Sequence, residues 1–257
     1  MKDKIYQNIS KTRKVVAVLT ARMNSSRMYG KSMALLSGIP TLEHIIKRLQ
    51  HSKFIDDIVV ATTESGHDDL IRECTKRLDL LCFSGSEEDV LDRTVKAAKL
   101  SSAEHVVIVN GDSPIIDPLI VEKIIKIYLD EKPDYASNAW VESWPIGTEV
   151  EICPLKILDK INNSSNDQAH HEHVTLYIHE HRDKYKLIDV TAPSEETWPE
   201  LRLTLDTKED YNLISLIYEA LFPCNPLFGI KEIIEYIKKN PYLMKINSAI
   251  KQKEVRE

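Results

Sequence analysis

Three cations, Arg22, Arg27 and Lys31, fall in one short polar stretch directly after an apolar run at 15–19 (VVAVL). Ala21, Met23, Asn24, Ser25, Ser26 and Gly30 fill the positions around them. A strand that ends in hydroxyls, an amide, cations and a glycine suits an anion, because backbone N–H groups and basic side chains converge at the carboxyl end of a parallel strand. Two carboxylates extend the set: Asp112 follows the apolar run at 105–109, and Asp206 follows 201–205. A pair of carboxylates beside a polyphosphate is a minimal cradle for Mg²⁺, which takes few protein ligands and completes its shell with water and phosphate oxygens. The chemistry such a set supports is transfer at phosphorus, the cations neutralising a triphosphate and stabilising charge as it develops. Each piece also has a plainer reading. A basic loop after a strand is often only solvated, Gly111-Asp112-Ser113-Pro114 is good turn chemistry, and Asp206-Thr207 suits a helix cap. The chemical reading gains weight only if the strand ends share one rim.

The pattern around them predicts that they do. Apolar strands at 15–19, 57–62, 80–83 and 105–109 alternate with helical patterns. The first helix carries Leu42, Ile45, Ile46 and Leu49 on one stripe; others are expected at 67–78, at 87–99 with Ser86 as N-cap, and at 118–129. A βαβαβα rhythm means a parallel sheet covered by helices on both faces, with ligands beyond the carboxyl ends of the strands. Loops 20–31, 84–93 and 110–114 therefore belong on one rim. The rhythm changes after residue 132. Short strands are expected at 134–138 and 149–152, a short helix at 154–161, one amphipathic helix at 169–181, strands at 186–190 and 201–205, and closing helices at 210–221 and 230–239. The reading divides the chain into an N-terminal extension at 1–13, a main domain at 14–222 with a lobe at 134–195 built onto its sheet, and a C-terminal helical extension at 223–257.

Bulk properties narrow the partners. A net charge of −6 argues against non-specific nucleic-acid binding, so the basic loop is local and aimed at a small anion. Cys74, Cys82, Cys153 and Cys224 show no metal-ligand spacing, and free thiols in a reducing cytoplasm are expected. The apolar runs have strand length, so no membrane span is expected. His170, His171, His173, His179 and His181 crowd one segment and raise the question of Zn²⁺, but H-E-x-x-H is absent and no cysteine is near. Asp56, Asp57, Asp68 and Asp69 read as solvated strand and helix starts.

Ala21-Arg22-Met23-Asn24-Ser25-Ser26-Arg27 with Gly30-Lys31 resembles the A-R-M-x-S-x-R-x-P-G-K signature of cytidylyltransferases. The branch it is most similar to is that of spore coat polysaccharide biosynthesis protein F, related to the acylneuraminate and 3-deoxy-manno-octulosonate cytidylyltransferases. Gly85-Ser86-Glu87-Glu88-Asp89-Val90-Leu91-Asp92-Arg93 resembles the family's G-S-x-x-D-V-L-x-R. Further matches are Gly111-Asp112-Ser113-Pro114, Glu149-Val150-Glu151, Glu172-His173-Val174-Thr175 and Arg202-Leu203-Thr204-Leu205-Asp206-Thr207, in the family's order from about residue 15 to 220.

The resemblance implies a three-layer α/β/α nucleotide-diphospho-sugar transferase fold with a small inserted α+β lobe. It implies transfer of CMP from CTP to an acidic sugar or phosphorylated acceptor, with release of pyrophosphate, by an Mg²⁺-dependent cytoplasmic enzyme that serves polysaccharide synthesis and pairs as a homodimer through the later lobe. Carried over by position, Lys31, Arg22 and Asp112 would be catalytic. Ala21, Arg22, Met23, Asn24, Ser25, Ser26, Arg27, Gly30, Lys31, Ser86, Asp89, Val90, Arg93, Asn110 and Gly111 would bind the nucleotide. Glu149, Glu151, His173, Thr175 and Arg202 would face the acceptor, and Asp112 and Asp206 would hold Mg²⁺. The chain departs from the pattern at Tyr29, where the family has proline, and at Ile108, where relatives often have arginine; Trp140 and Trp144 flank the acceptor side. Two rival readings stand beside this one. A glycosyltransferase on the same sheet usually shows Asp-x-Asp where this chain has Asp112-Ser113-Pro114; the other rival is a degenerate homologue that binds nucleotide without turnover.

Overall fold

The computed structural model describes residues 13–252, so the extension expected at 1–13 lies outside the described residues apart from Arg13. Strand β1 (Val15–Thr20) is buried along almost its whole length. It is followed by a minimal hairpin of β2 (Leu35–Leu36) and β3 (Ile39–Pro40), whose turn residues Ser37 and Gly38 both have positive φ, and then by α1 (Thr41–Gln50). The alternation continues through β4 (Asp57–Thr63), α2 (Asp69–Arg77), β5 (Leu81–Gly85), α3 (Val90–Leu100), β6 (His105–Asn110) and α4 (Pro118–Glu131). β5, β4, β1 and β6 lie side by side in that order, all parallel. Their near-continuous apolar runs follow from burial on both faces. Ala17 and Leu19 enter a core shared with α1, while Val16 and Val18 enter a second core under α3.

Segment 134–195 extends this sheet. It contributes β7 (Tyr135–Ser137), β8 (Glu151–Pro154), α5 (Leu155–Ser164), α6 (Gln168–Glu172), α7 (Leu176–Glu180) and β9 (Leu187–Asp189). β8 pairs antiparallel with β6, and β7 and β9 complete seven strands. Two expectations are corrected here. The single helix expected at 169–181 is two short helices, broken at His173–Thr175: His173 is extended (φ −109°), Val174 is buried in the second core, and the Thr175 hydroxyl is drawn away to Glu151. Residues 201–205 do not join the sheet. They pair only through a single bridge between Ile146 and Arg202, with Leu203 N–H donating to Ile146 O at 2.6 Å and Leu205 N–H to Asp112 O at 2.7 Å. Pro145 and Gly147 interrupt any longer ladder on the facing segment.

The chain closes with α8 (Lys208–Leu221) and α9 (Ile230–Lys239). The C-terminal helical stretch is part of the main core: Phe228, Ile230, Ile233, Ile234, Ile237 and Leu243 pack into the same cluster as β1 and α1. Asp117 joins α9 to α4 by accepting from Leu119 N–H at 2.8 Å and Ile230 N–H at 2.9 Å, capping two helices with one carboxylate. Ile233→Ala should therefore cost about 2–5 kcal/mol, the range for truncating a buried aliphatic side chain, read as a lower urea midpoint with unchanged slope. A cost near zero would mean that the helix is not integral to the domain.

Candidate active site

The chain runs outward from β1 to β4 and β5, then returns to β6 on the other side of β1. That reversal opens a crevice between the carboxyl ends of β1 and β6. The register sets Thr20 level with Asn110, and Gly111 N–H donates to Thr20 O at 2.8 Å. A Cβ at Gly111 would lie 2.6 Å from that oxygen, so only glycine lets the two loops leave the sheet this close together.

Loop 21–31 is held by its own backbone. Met23 O accepts from Gly30 N–H at 2.8 Å and from Ser25 N–H at 3.0 Å, and Gly30 sits at φ +73°, in the left-handed region. The loop is anchored by a residue that sequence reasoning placed in solvent. Asp68 is 1% exposed and accepts from Met23 N–H at 2.7 Å, Thr62 Oγ1 at 3.0 Å, Thr63 N–H at 3.0 Å and Thr63 Oγ1 at 2.5 Å. Burial alone would raise its pKa; the converging Thr63, Met23 and Thr62 donors hold it below the ordinary carboxylate value. The signal for this role was available: Asp68 follows the carboxyl end of β4, Thr62-Thr63, within a few residues. Asp56 is likewise bonded, to Val15 N–H at 2.8 Å, and Asp57 pairs with Lys14 at 3.2 Å.

The predicted cations and carboxylates do meet. Lys31 Nζ lies 2.8 Å from Asp112 Oδ2 and 2.8 Å from Asp206 Oδ1, and Arg27 lies 3.0 Å from Asp206 Oδ2. Burial would lower the Lys31 pKa, but the two carboxylates outweigh it and the ammonium titrates above its usual value. For Asp206 burial pushes upward, and Lys31, Arg27 and Arg202 bring the carboxyl below its usual value. Asp112 O also accepts from Thr204 Oγ1 at 3.2 Å, so the two aspartate-bearing segments are tied together. The donor set fits Mg²⁺: two carboxylates converge on one point already filled by a cation, and all the ligating atoms are hard oxygens.

Arg202 is placed differently from its expected acceptor contact. It is 4% exposed, and its guanidinium is spent on Asp206 (2.8 Å), Asp210 (2.9 Å) and Gln252. It orients Asp206 from behind. Asp210 in turn accepts from Asp206 N–H at 3.1 Å and closes a capping box with Thr207 at the start of α8. Arg93 is also buried, its Nη1 donating to Ser86 O at 2.5 Å, and burial lowers its pKa, so it shapes loop 85–89 from beneath. Ser86 Oγ accepts from the N–H groups of Glu88 and Asp89, Asp89 caps α3, and Val90 opens that helix. Glu87 docks this loop onto the first, contacting Arg22 at 3.4 Å and Asn24 at 3.0 Å. Ser26 lies in the same exposed loop, and Tyr29, 61% exposed, meets the His67 ring edge-on.

On the far wall, β6–β8 pairing sets Ile108 opposite Glu151, the first residue of β8, with Glu149 just before it. Glu149 accepts from Gly147 N–H through both oxygens at 2.9 Å, and burial, with Asp112 and Glu151 adding like charge, raises its pKa to about 7. Glu151 accepts from Tyr135 OH and Thr175 Oγ1, each at 2.5 Å, and burial raises its pKa too. His173 stands at the break between α6 and α7. Of the other histidines, His170 pairs with Glu180 at 2.7 Å and His171 with Asp89 at 2.9 Å; among the described residues no group of three or more His, Cys, Asp or Glu is arranged to hold a metal ion.

Residues 16–255 match the family model described as cytidylyltransferase. The chain belongs to the cytidylyltransferase family. The match runs through the C-terminal helices, beyond the motifs that carry the resemblance. Over 244 residues the chain is 32% identical to an uncharacterised protein of Methanocaldococcus jannaschii, covering 95% of this chain and 98% of that one. Over 232 residues it is 31% identical to the spore coat polysaccharide biosynthesis protein SpsF of Bacillus subtilis, covering 88% and 95%. The solved structure of a cytidylyltransferase from Leptospira borgpetersenii serovar Hardjo-bovis superposes with a TM-score of 0.86 at 29% identity, covering 94% of this chain and all of that one. This cytidylyltransferase has, among its described residues, no helix long and apolar enough to cross a membrane.

Asp68 gives this site a pH signature. Its folded pKa lies below the unfolded value, so its stabilisation is complete above the unfolded carboxylate pKa and is lost as pH falls through the folded one. Asp68→Asn should lower stability by about 1–3 kcal/mol at neutral pH and by much less in acid, read from urea midpoints at the two pH values. An equal loss at both would show that its charge does not hold the loop.

Proposed function

We propose that this protein transfers CMP from CTP to a small acceptor, an acidic sugar or a phosphorylated molecule, releasing pyrophosphate, in the synthesis of a surface polysaccharide or glycan precursor. The observation that carries the reading is the Lys31 ammonium held between Asp112 and Asp206 at the β1–β6 crevice, with Arg27 beside it. Such a set is charge-balanced when empty and exchanges partners when a triphosphate arrives: Lys31, Arg27 and Arg22 turn to phosphate oxygens. Asp112 and Asp206 would hold Mg²⁺, which when bound neutralises phosphate charge and lowers the pKa of a coordinated hydroxyl.

In the reaction an acceptor oxygen forms a bond to the α-phosphorus while the bond to the bridging β-phosphate oxygen breaks, and pyrophosphate takes the electron pair. Lys31, Arg22 and Arg27 stabilise the charge that builds on the leaving group. Loop 21–31 supplies backbone N–H groups beside them, and Glu87 keeps loop 85–89 against it. Arg202 and Asp210 keep Asp206 from swinging away when Lys31 leaves. An acceptor carboxylate or phosphate is already ionised and needs no base. We further propose a cytoplasmic, homodimeric enzyme. The free thiols, with Cys224 exposed, favour a reducing compartment, and β9 leaves a sheet edge on the lobe at 134–195 where a second copy would seat.

The test is release of pyrophosphate from each nucleoside triphosphate with Mg²⁺ and a panel of acidic sugars and phosphorylated acceptors. CTP with an acceptor should support turnover, whereas CTP alone should not; a requirement for a nucleotide sugar instead would favour a glycosyltransferase. Asp112→Asn should lower kcat by about 100-fold or more with the circular dichroism spectrum unchanged. A near-normal rate would remove Asp112 from the reaction.

A further inference from the structure

The two walls of the crevice carry opposite charge. Arg22, Arg27 and Lys31 line the triphosphate side, whereas the other side carries Glu149 and Glu151 next to Asp112. Glu151 opens β8, and Glu149, two residues before it, lies close enough for the two carboxylates to feel each other's charge. Neither forms an ion pair among the described residues, and the residue across the ladder from Glu151 is the apolar Ile108. The groups that touch them are the Gly147 N–H, the Tyr135 and Thr175 hydroxyls and the Trp140 indole, all neutral, which satisfy some of their lone pairs and none of their charge.

An aromatic stack adjoins them. Trp140 lies on His179 with centroids 3.8 Å apart and planes 21° from parallel, and the Trp140 indole also bears on Glu151. His179 packs edge-on against Tyr135, the residue that bonds Glu151. Trp140 keeps 38% of its surface exposed, whereas His179 is buried with neither ring nitrogen hydrogen-bonded. Burial, helped by Arg182, pushes the His179 pKa down to about 4, so the stack is uncharged near neutrality. Arg182 is itself paired with Asp189.

We propose that Glu149, Glu151 and the open face of Trp140 form a subsite for a protonated amino group carried by the acceptor. The inference rests on the reading of the crevice as the site of CMP transfer. Carboxylates recognise an ammonium by charge-assisted hydrogen bonds, and the face of an indole is the best aromatic partner for one. The raised pKa of Glu149 agrees with this: without a ligand the wall lacks a counter-ion and is partly neutralised by a proton, which an ammonium would displace. The acceptor then carries an ammonium at one end and its nucleophile at the other, and is a zwitterion where it also bears a carboxylate or phosphate.

Matched acceptors test it. The pairs are 3-deoxy-manno-octulosonate with its 8-amino-3,8-dideoxy analogue, glucose 1-phosphate with glucosamine 1-phosphate, and 2-hydroxyethyl phosphate with phosphoethanolamine. Pyrophosphate release is followed with CTP and Mg²⁺. Among pairs that turn over, kcat/KM should favour the amino member by about tenfold. Glu149→Gln, Glu151→Gln and Trp140→Leu should each shrink that ratio towards one, with folding checked by thermal melting. A ratio at or below one in the wild type, or a ratio unmoved in all three variants, overturns the proposal. So does a change in Mg²⁺ requirement with the ratio unmoved, which would give the glutamates to the metal instead. If no pair turns over, binding of the same acceptors to protein loaded with a non-hydrolysable CTP analogue is read by ligand-observed NMR, and equal binding or none overturns it. CTP binding measured by calorimetry separates the two readings: its absence defeats CMP transfer itself, whereas CTP binding without an amine preference defeats only the subsite.

Discussion

The structure depends on one ammonium shared by two carboxylates. Lys31 comes from the loop after β1, Asp112 from the loop after β6, and Asp206 from a segment that never joins the sheet. Asp206 is 3% exposed, and a buried carboxylate without a partner would cost several kcal/mol or bind a proton. Lys31, Arg27 and Arg202 remove that cost, and the lowered pKa of Asp206 is the sign that they do. The same neutralisation makes the crevice responsive. In the exchange proposed above, a triphosphate would offer the cations better partners than carboxylates and would leave the carboxylates free for a metal, so charge balance would be kept on both sides. Arg202 is what lets Asp206 survive the exchange in place, because it stays bonded from the protein side.

That exchange needs two loops at a fixed spacing, and the spacing comes from backbone rather than from the charged side chains. Gly111 brings the β6 loop against Thr20, Asp68 fixes the Met23 peptide, and Gly30 returns the chain to Met23 O. Each is a short-range geometric constraint that no surface charge could supply. The cations and carboxylates therefore arrive already aimed, which is the condition for electrostatic stabilisation without reorganisation during the reaction.

The parts legible in the sequence were those where one physical rule dominates. β1, β4 and β6 are buried on both faces, so their apolar runs mark them without ambiguity, and the polar loops after them had to fall on one rim. Lys31, Asp112 and Asp206 could be set together because charged residues at such strand ends have few other places to go, and their side chains do meet. In the lobe, β7 and β9 fall inside the strands expected at 134–138 and 186–190, but three residues each carry too little pattern to show their place at the far edge of the sheet. The stripe at 169–181 looked like one helix, because the pull of Glu151 on Thr175 is a contact across the fold and leaves no local trace. Residues 201–205 alternate like a strand because Leu201, Leu203 and Leu205 are core residues, yet their backbone bonds go to Ile146 and Asp112. Burial was legible there and pairing was not. Asp68 and Arg202 were misread for the same reason in reverse: a charged residue is assigned to solvent or ligand unless its buried partners are known.

The contrast between the walls bears on how one crevice handles two substrates. A triphosphate is the more highly charged partner, and Arg22, Arg27 and Lys31 stand on one wall to meet it. Glu149, held through both oxygens by Gly147 N–H, adds its charge to that of Asp112 on the other wall. An anionic acceptor with no positive group would be repelled by that wall and drawn towards the phosphate side, where it would compete with CTP. If the proposed subsite holds, the far-wall carboxylates would sort the two ligands by charge before any shape is read, and would turn the acceptor's nucleophilic end towards the α-phosphorus.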